Sequence, residues 1–186
     1  DSVKGYLYNP DTARALLKKA GIDVKSAPVI KLLTISTYAD IASFAAHAIE
    51  QIGLKVQVEV IQKSLLLQQT AQQQALFFRA SWIADYPDAE NYLSLFYSKN
   101  FAPNGPNYTH FKNEKFDKLY ENAFKETDTK KRYELYREMD KLIIEEAPVI
   151  PLFYDKVARF SRKEVQNLGI NGLNMLDLKR VKKVNL

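Results

Sequence analysis

The stretch from 29 to 82 constrains the fold of this chain more than any other. "VIKLLTIS" (29 to 36) is an apolar run of strand length. Ile41, Phe44, Ala45, Ala48, Ile49 and Ile52 then recur at helical spacing, and Gly53 marks the stop. "LKVQVEVI" (54 to 61) alternates apolar and polar residues, the pattern of a strand with one wet face. A Gln-rich helix, 63 to 74, leads into a third strand, "ALFFRASW" (75 to 82). Strand, helix, strand, helix, strand at this spacing predicts right-handed crossovers and a mainly parallel sheet flanked by helices. Ligands of open α/β sheets bind beyond the carboxyl ends of the strands. The loop "STYAD" (36 to 40) follows the first strand and the segment 82 to 88 follows the third, so both are expected at that end.

The flanks are helical. Asn9 is placed to cap a helix with Pro10 in its first position, an apolar stripe of Ala13, Leu16, Leu17 and Ala20, and Gly21 as its stop. A short helix is predicted over 89 to 97, followed by a long loop, "SKNFAPNGPNYTHFKN" (98 to 113), of a length more often functional or mobile than incidental. Phe116, Leu119, Tyr120, Ala123 and Phe124 mark one amphipathic helix of the C-terminal half. Leu135, Met139, Leu142 and Ile143 mark the inner face of a second, capped by Thr127 or Asp128 and ended by Pro148. Residues 149 to 155 and 157 to 161 read as strands or extended segments, and 164 to 184 as extended or irregular.

The residue inventory excludes much chemistry. The 186 residues include no cysteine, so disulfides, thiolate metal sites and cysteine nucleophiles are ruled out. No apolar run reaches the roughly 18 residues of a membrane span. The net charge of +5 is densest in "LKRVKKV" (178 to 184), read as a solvated edge strand or tail. A nucleic-acid footprint would spread basic residues over a whole face, with aromatics between them, so nucleic acid is not an expected partner. The chain opens on "DSVKGYLYNPD", without Met or a signal-peptide pattern, and is expected to be a trimmed chain or a fragment.

The candidate site is the segment "SWIADYPDAENYLSLF" (81 to 96), which contains the only tryptophan. His47 is read as structural, on or beside the apolar stripe of its helix. His110 lies in the long loop, and neither has a metal partner at helical spacing. Asp85, Asp88 and Glu90 do not follow the alternation of a calcium loop, and Pro87 interrupts them. A carboxylate pair could serve a glycosidase, but three residues of loop do not set the separation. No nucleophile–base motif or phosphate loop is present, so neither an enzyme nor a cofactor is expected. Binding fits better. A carboxylate at a strand end beside Trp82 and Tyr86 suits an ammonium, which can pair with the acid and lie against an aromatic face. Asp88 has a local task as the cap of the helix that follows it. Asp85 has none, and its alternative is a salt bridge to Arg79 or another surface cation.

These residues carry a resemblance. The stretches "YNPDTARALLKKAGI", "AAHAIEQIGLKVQVEVI", "SWIADYPDAENYLSLF", "NYTHFKNEKFDKLYENA" and "TDTKKRYELYREMDKLIIEEAPVIPLFY" stand in the order and at the spacing of the extracytoplasmic solute-binding proteins of ABC importers, the peptide/nickel-binding family 5. The chain resembles their C-terminal part. The resemblance implies a type II periplasmic-binding-protein lobe, with residues 1 to 186 forming most of one lobe of a two-lobed protein that closes over its ligand. The other lobe, the signal sequence and any lipid anchor would lie outside this chain. It further implies extracytoplasmic capture of di- or oligopeptides for delivery to importer membrane subunits. A nickel complex or a sugar is the alternative cargo, and a hydrolase or a stand-alone interaction module the remaining classes. In peptide-binding members the aspartate of W-x-x-D, here Asp85, pairs with the ligand's α-amino group. Trp82 and Ser81 would line the cleft, and Thr37 and Tyr38 would face the ligand. Some dipeptide binders place an arginine in that first loop, whereas this chain has none between Lys31 and Lys55.

Overall fold

The computed structural model describes residues 3–173 and 175–184. Helix α1 (Pro10–Lys19) starts as predicted, with the Asn9 side chain accepting the Thr12 N–H at 3.0 Å and Pro10 in the first turn. Its stripe is only partly covered. No residue of α1 is buried, and Leu16 is 59% exposed. The helix is instead tied through Arg14, whose guanidinium donates to the Gln51 carbonyl at 2.7 Å.

Strand β1 (Ile30–Thr34), helix α2 (Ala39–Glu50) and strand β2 (Val56–Val60) form the expected crossover, with β1 and β2 parallel from Ile30 opposite Val56 to Thr34 opposite Val60. Gly53 ends the connection with φ +93°, where a side chain would also press on Val24. Helix α2 is rotated from the expected stripe. It turns Ala42 and Ala46 to the sheet, and Phe44, two residues from each and so on the opposite side, is 76% exposed. His47 is likewise exposed rather than on a buried stripe, with its Nε2 3.3 Å from the Gln51 amide.

Helix α3 (Lys63–Ala71) carries the glutamines. The third strand is shorter than the sequence suggests. Only residues 77 to 79 pair: the Leu33 N–H donates to the Phe77 carbonyl at 3.0 Å, and the Arg79 N–H to the Leu33 carbonyl at 2.9 Å. The bridge is parallel and sits on the other side of β1 from β2. Leu33, Leu66 and Ala75 form a small core here, with Phe78 packed against it. Beyond Arg79 the ladder gives way to side-chain bonds, described below.

The larger core lies in the C-terminal half. Helix α4 (Glu90–Leu93) runs into a 3-10 turn at Ser94–Phe96, which together cover the short helix expected at 89 to 97. Helices α5 (Glu114–Lys125) and α6 (Thr129–Glu146) pack on each other and on α4. Asn113 and Asp128 cap them through their side chains. Phe116 and Met139 are fully buried among Leu93, Phe96, Tyr120, Tyr136, Leu142 and Ile143. Helix α6 ends at Ala147, in the left-handed conformation at φ 49°, just before Pro148. The long loop is tied down by Asn107, fully buried, whose amide donates to the carbonyls of Tyr97 at 3.1 Å and Phe111 at 3.0 Å. Gly105 is required in it, because an added Cβ would meet the Asn100 carbonyl oxygen at 2.5 Å.

Residues 149 to 161 form neither helix nor strand. The basic tail forms part of a two-residue antiparallel pair, β3 (Val165–Gln166) with β4 (Lys182–Lys183), and both lysines are exposed.

Candidate functional site at the strand ends

The loop after β1 and the segment after the third strand meet at one end of the sheet, as the topology requires. Arg79 joins them. Its guanidinium carbon lies 3.2 Å from the centroid of the Tyr38 ring, and its Nη1 donates to the Ser81 hydroxyl at 3.2 Å. A cation over a tyrosine face is attractive, and a planar guanidinium can stack there while still donating. Tyr38 is half-buried, and Thr37 and Ser81 are exposed. Ser36, Thr37 and Tyr38 form a single 3-10 turn, so all three are presented by one short rigid step off the strand.

The second group forms around Asn91, which is 4% exposed. Its Oδ1 accepts the Trp82 indole N–H at 2.7 Å and the Asp85 backbone N–H at 3.2 Å. The Asp85 side chain is exposed, and among the described residues it joins no ion pair. The alternative of a salt bridge to Arg79 is therefore not what the structure forms, since that guanidinium engages Tyr38 and Ser81. Asp88 lies one residue before the N-cap, Ala89, and so is not the cap itself, although its side chain reaches the first turn of the helix. Its Oδ1 accepts the Glu90 N–H at 2.9 Å and the Tyr136 hydroxyl at 3.0 Å, with Arg132 3.8 Å from its other oxygen.

Glu90 is buried at 9% exposure, and the Tyr86 and Tyr120 hydroxyls each donate to one of its carboxylate oxygens. A buried carboxylate without donors would be costly, and the two phenols supply them. The carboxylate in turn raises the Tyr86 pKa above the ordinary phenol value, chiefly through this hydrogen bond, with burial adding to it. The Tyr120 pKa is raised first by burial and then by its bond to Glu90. Tyr86, 43% exposed, thus has its hydroxyl turned back to the protein while part of its ring remains on the surface.

Sequence reasoning missed Asn91 and Glu90 as builders of the site. Both follow Asp85 within one or two helical turns, and buried polar residues at the start of a short helix were the available signal. Arg79 was noticed only as a partner for Asp85. It restores a cation next to the first loop, which has no arginine of its own.

This arrangement is a type II periplasmic-binding-protein lobe. Residues 1–104 match the model of bacterial extracellular solute-binding proteins, family 5 (middle), and the chain belongs to that family. It is 27% identical over 190 residues to di/tripeptide-binding protein 2 of Pseudomonas aeruginosa strain UCBPP-PA14, covering 98% of this chain and 35% of that protein. Among solved structures it is similar to the ABC transporter-associated periplasmic binding protein DppA from Helicobacter pylori in complex with the peptide STSA. That match has TM-score 0.71 and 30% identity, over 78% of this chain and 29% of that one. Burkholderia pseudomallei OppA shares the fold at TM-score 0.82 and 24% identity, over 95% of this chain and 35% of that one. The chain thus spans about a third of the length of the curated relatives it matches.

Proposed function

We propose that residues 1 to 186 form one lobe of a two-lobed extracytoplasmic protein that captures di- or oligopeptides with a free amino terminus for an ABC importer. The observation that carries this reading is Asp85. Its carboxylate is exposed at the strand end, joins no ion pair among the described residues, and hangs from a backbone pinned beside Trp82. An ammonium that pairs with it would lie near an indole face, and once closure has desolvated such a pair, removing one partner costs on the order of 2–5 kcal/mol. Arg79 offers the opposite charge at the same sheet end, suited to an anionic group of the ligand. The names of relatives that bind di- and tripeptides support the same cargo.

Capture rather than chemistry is the reading that membership of the solute-binding family supports. Closure of a second lobe would exclude water and strengthen the Asp85–ammonium pair, and the ligand shifts the open and closed forms only by binding the closed form better. The exposed segment after α6 supports the existence of that second lobe. Phe160 is 95%, Tyr154 90% and Ile150 63% exposed, an apolar run that the rest of the protein would cover. Importer membrane subunits would meet the closed form, and a lipid anchor upstream would hold it at the membrane.

Isothermal titration of the chain with a free-amine tripeptide and its N-acetylated twin tests the reading. Heat with the free amine alone supports it. Heat with a sugar or a nickel complex, and none with either peptide, would replace the cargo.

A further inference from the structure

We infer that Asn91 is a positioning residue for the ligand-binding loop, acting through a single amide oxygen shared by Trp82 and Asp85. The inference rests on the reading of Asp85 and Trp82 as ligand contacts. Whereas Asp85 is exposed and Trp82 half-buried, Asn91 is buried, at 4% exposure. Its Oδ1 takes the indole N–H at 2.7 Å and the Asp85 N–H at 3.2 Å, from residues nine and six positions earlier in the chain. The two bonds fix different things. The first sets the plane of the Trp82 ring, and the second sets the backbone from which the Asp85 carboxylate projects.

The loop needs such a hold because the strand ladder ends early. After the Arg79 N–H bond to Leu33, no strand pairing is formed by residues 80 to 86. Asn91 is itself well anchored. Its backbone N–H donates to the Asp88 carbonyl at 3.2 Å, and its carbonyl accepts the Ser94 hydroxyl at 2.8 Å. Two residues further on, Leu93 is buried in the larger core. The oxygen therefore belongs to a rigid element and the two donors to a loop, which is the arrangement that pre-organises a site before ligand arrives. The neighbouring Glu90 holds the far end of the same loop through Tyr86.

Asn91→Leu removes the acceptor at similar size, and Asn91→Asp keeps it. The test reads hydrogen exchange of the Trp82 indole N–H and the Asp85 amide without ligand, then titrates a free-amine tripeptide and its acetylated twin. Asn91→Leu is expected to speed exchange at both protons roughly tenfold and to weaken free-amine binding by a similar factor, and Asn91→Asp to restore slow exchange. Trp82→Phe guards against a folding defect: it leaves Asn91 in place, and the Asp85 amide should stay slow. Unchanged exchange in Asn91→Leu overturns the inference, and so does faster exchange with unchanged affinity. If the parent binds both peptides alike, or neither, the amine role of Asp85 fails separately. The exchange result with its Asp rescue then decides the role of Asn91 by itself.

Discussion

The guanidinium of Arg79 lies 3.2 Å from the centre of the Tyr38 ring, and through it the loop after the first strand is joined to the loop after the third. These residues are far apart in sequence but adjacent at the sheet end, because β1 carries one loop and its parallel neighbour carries the other. Arg79→Ala should cost about 1 kcal/mol in urea unfolding, the usual value for a partly exposed cation–π contact. It should also broaden or shift the Tyr38 ring resonances. Arg79→Lys should recover little, since an ammonium cannot stack flat on the ring while donating to Ser81.

Whereas Asp85 is the proposed binding acid of the segment, Asp88 is the structural one. Its carboxylate is occupied by the Glu90 N–H, the Tyr136 hydroxyl and nearby Arg132. Asp88→Ala is expected to lower stability by about 1–3 kcal/mol, through the lost bond from the Glu90 N–H and an unpaired phenol. Selectivity for a free-amine peptide over its acetylated twin should survive. Loss of that selectivity in a folded Asp88→Ala protein would move the amine site from Asp85 to Asp88.

Alkaline pH should loosen the larger core. Tyr120 and Tyr136 both have pKa values held above the ordinary 10.0, first by burial and then by the carboxylate each donates to, Glu90 and Asp88 respectively. A raised phenol pKa means that the fold favours the neutral form. That stability is complete below the unfolded value near 10.0 and is lost as pH rises from there through the folded values. Urea midpoints should therefore fall on the alkaline side of pH 10. The decline should be shallower in the Tyr120→Phe, Tyr136→Phe double variant, though that protein starts from lower stability because Glu90 and Asp88 each lose a donor.

Phe116 is fully buried between the rings of Phe96 and Phe111, both edge-on to it, with centroids at 6.4 and 5.7 Å. Phe116→Ala should cost about 3–5 kcal/mol. Because α4 grows out of this core at Leu93, the Trp82 indole resonance should lose its dispersion in the same variant. A well-folded site on a melted core would contradict the dependence of the site on that core.

The sequence was most legible where one local rule acts alone. Asn9 with Pro10 and Asp128 start their helices because a short polar side chain reaches the first free N–H groups, and this needs no tertiary information. The parallel pairing of β1 and β2 followed from the length of the connection between them. What could not be read was rotation and reach. Phe44 and the two alanines of α2 are equally apolar by pattern, and only the close approach of the helix to the sheet selects the small residues. The third strand looked eight residues long because Arg79, Ala80 and Ser81 continue its composition, while the bonds from Asn91 and Arg79 that replace the ladder depend on side chains from elsewhere. At the candidate site, Asp85, Trp82, Ser81, Tyr86, Thr37 and Tyr38 are proposed from position and resemblance. Their connections through Arg79, Glu90 and Asn91 required coordinates.

If Asp85 grips a ligand ammonium, as proposed, an amide NMR titration will read that contact residue by residue. The chain, and its Asp85→Asn variant, would be titrated with a free-amine tripeptide and with the N-acetylated twin, a method that tolerates millimolar affinity. Shifts at Trp82, Asp85 and Tyr38 with the free amine only, abolished in Asp85→Asn, are the predicted result. Equal shifts with both peptides, or shifts that persist unchanged in the variant, would contradict it.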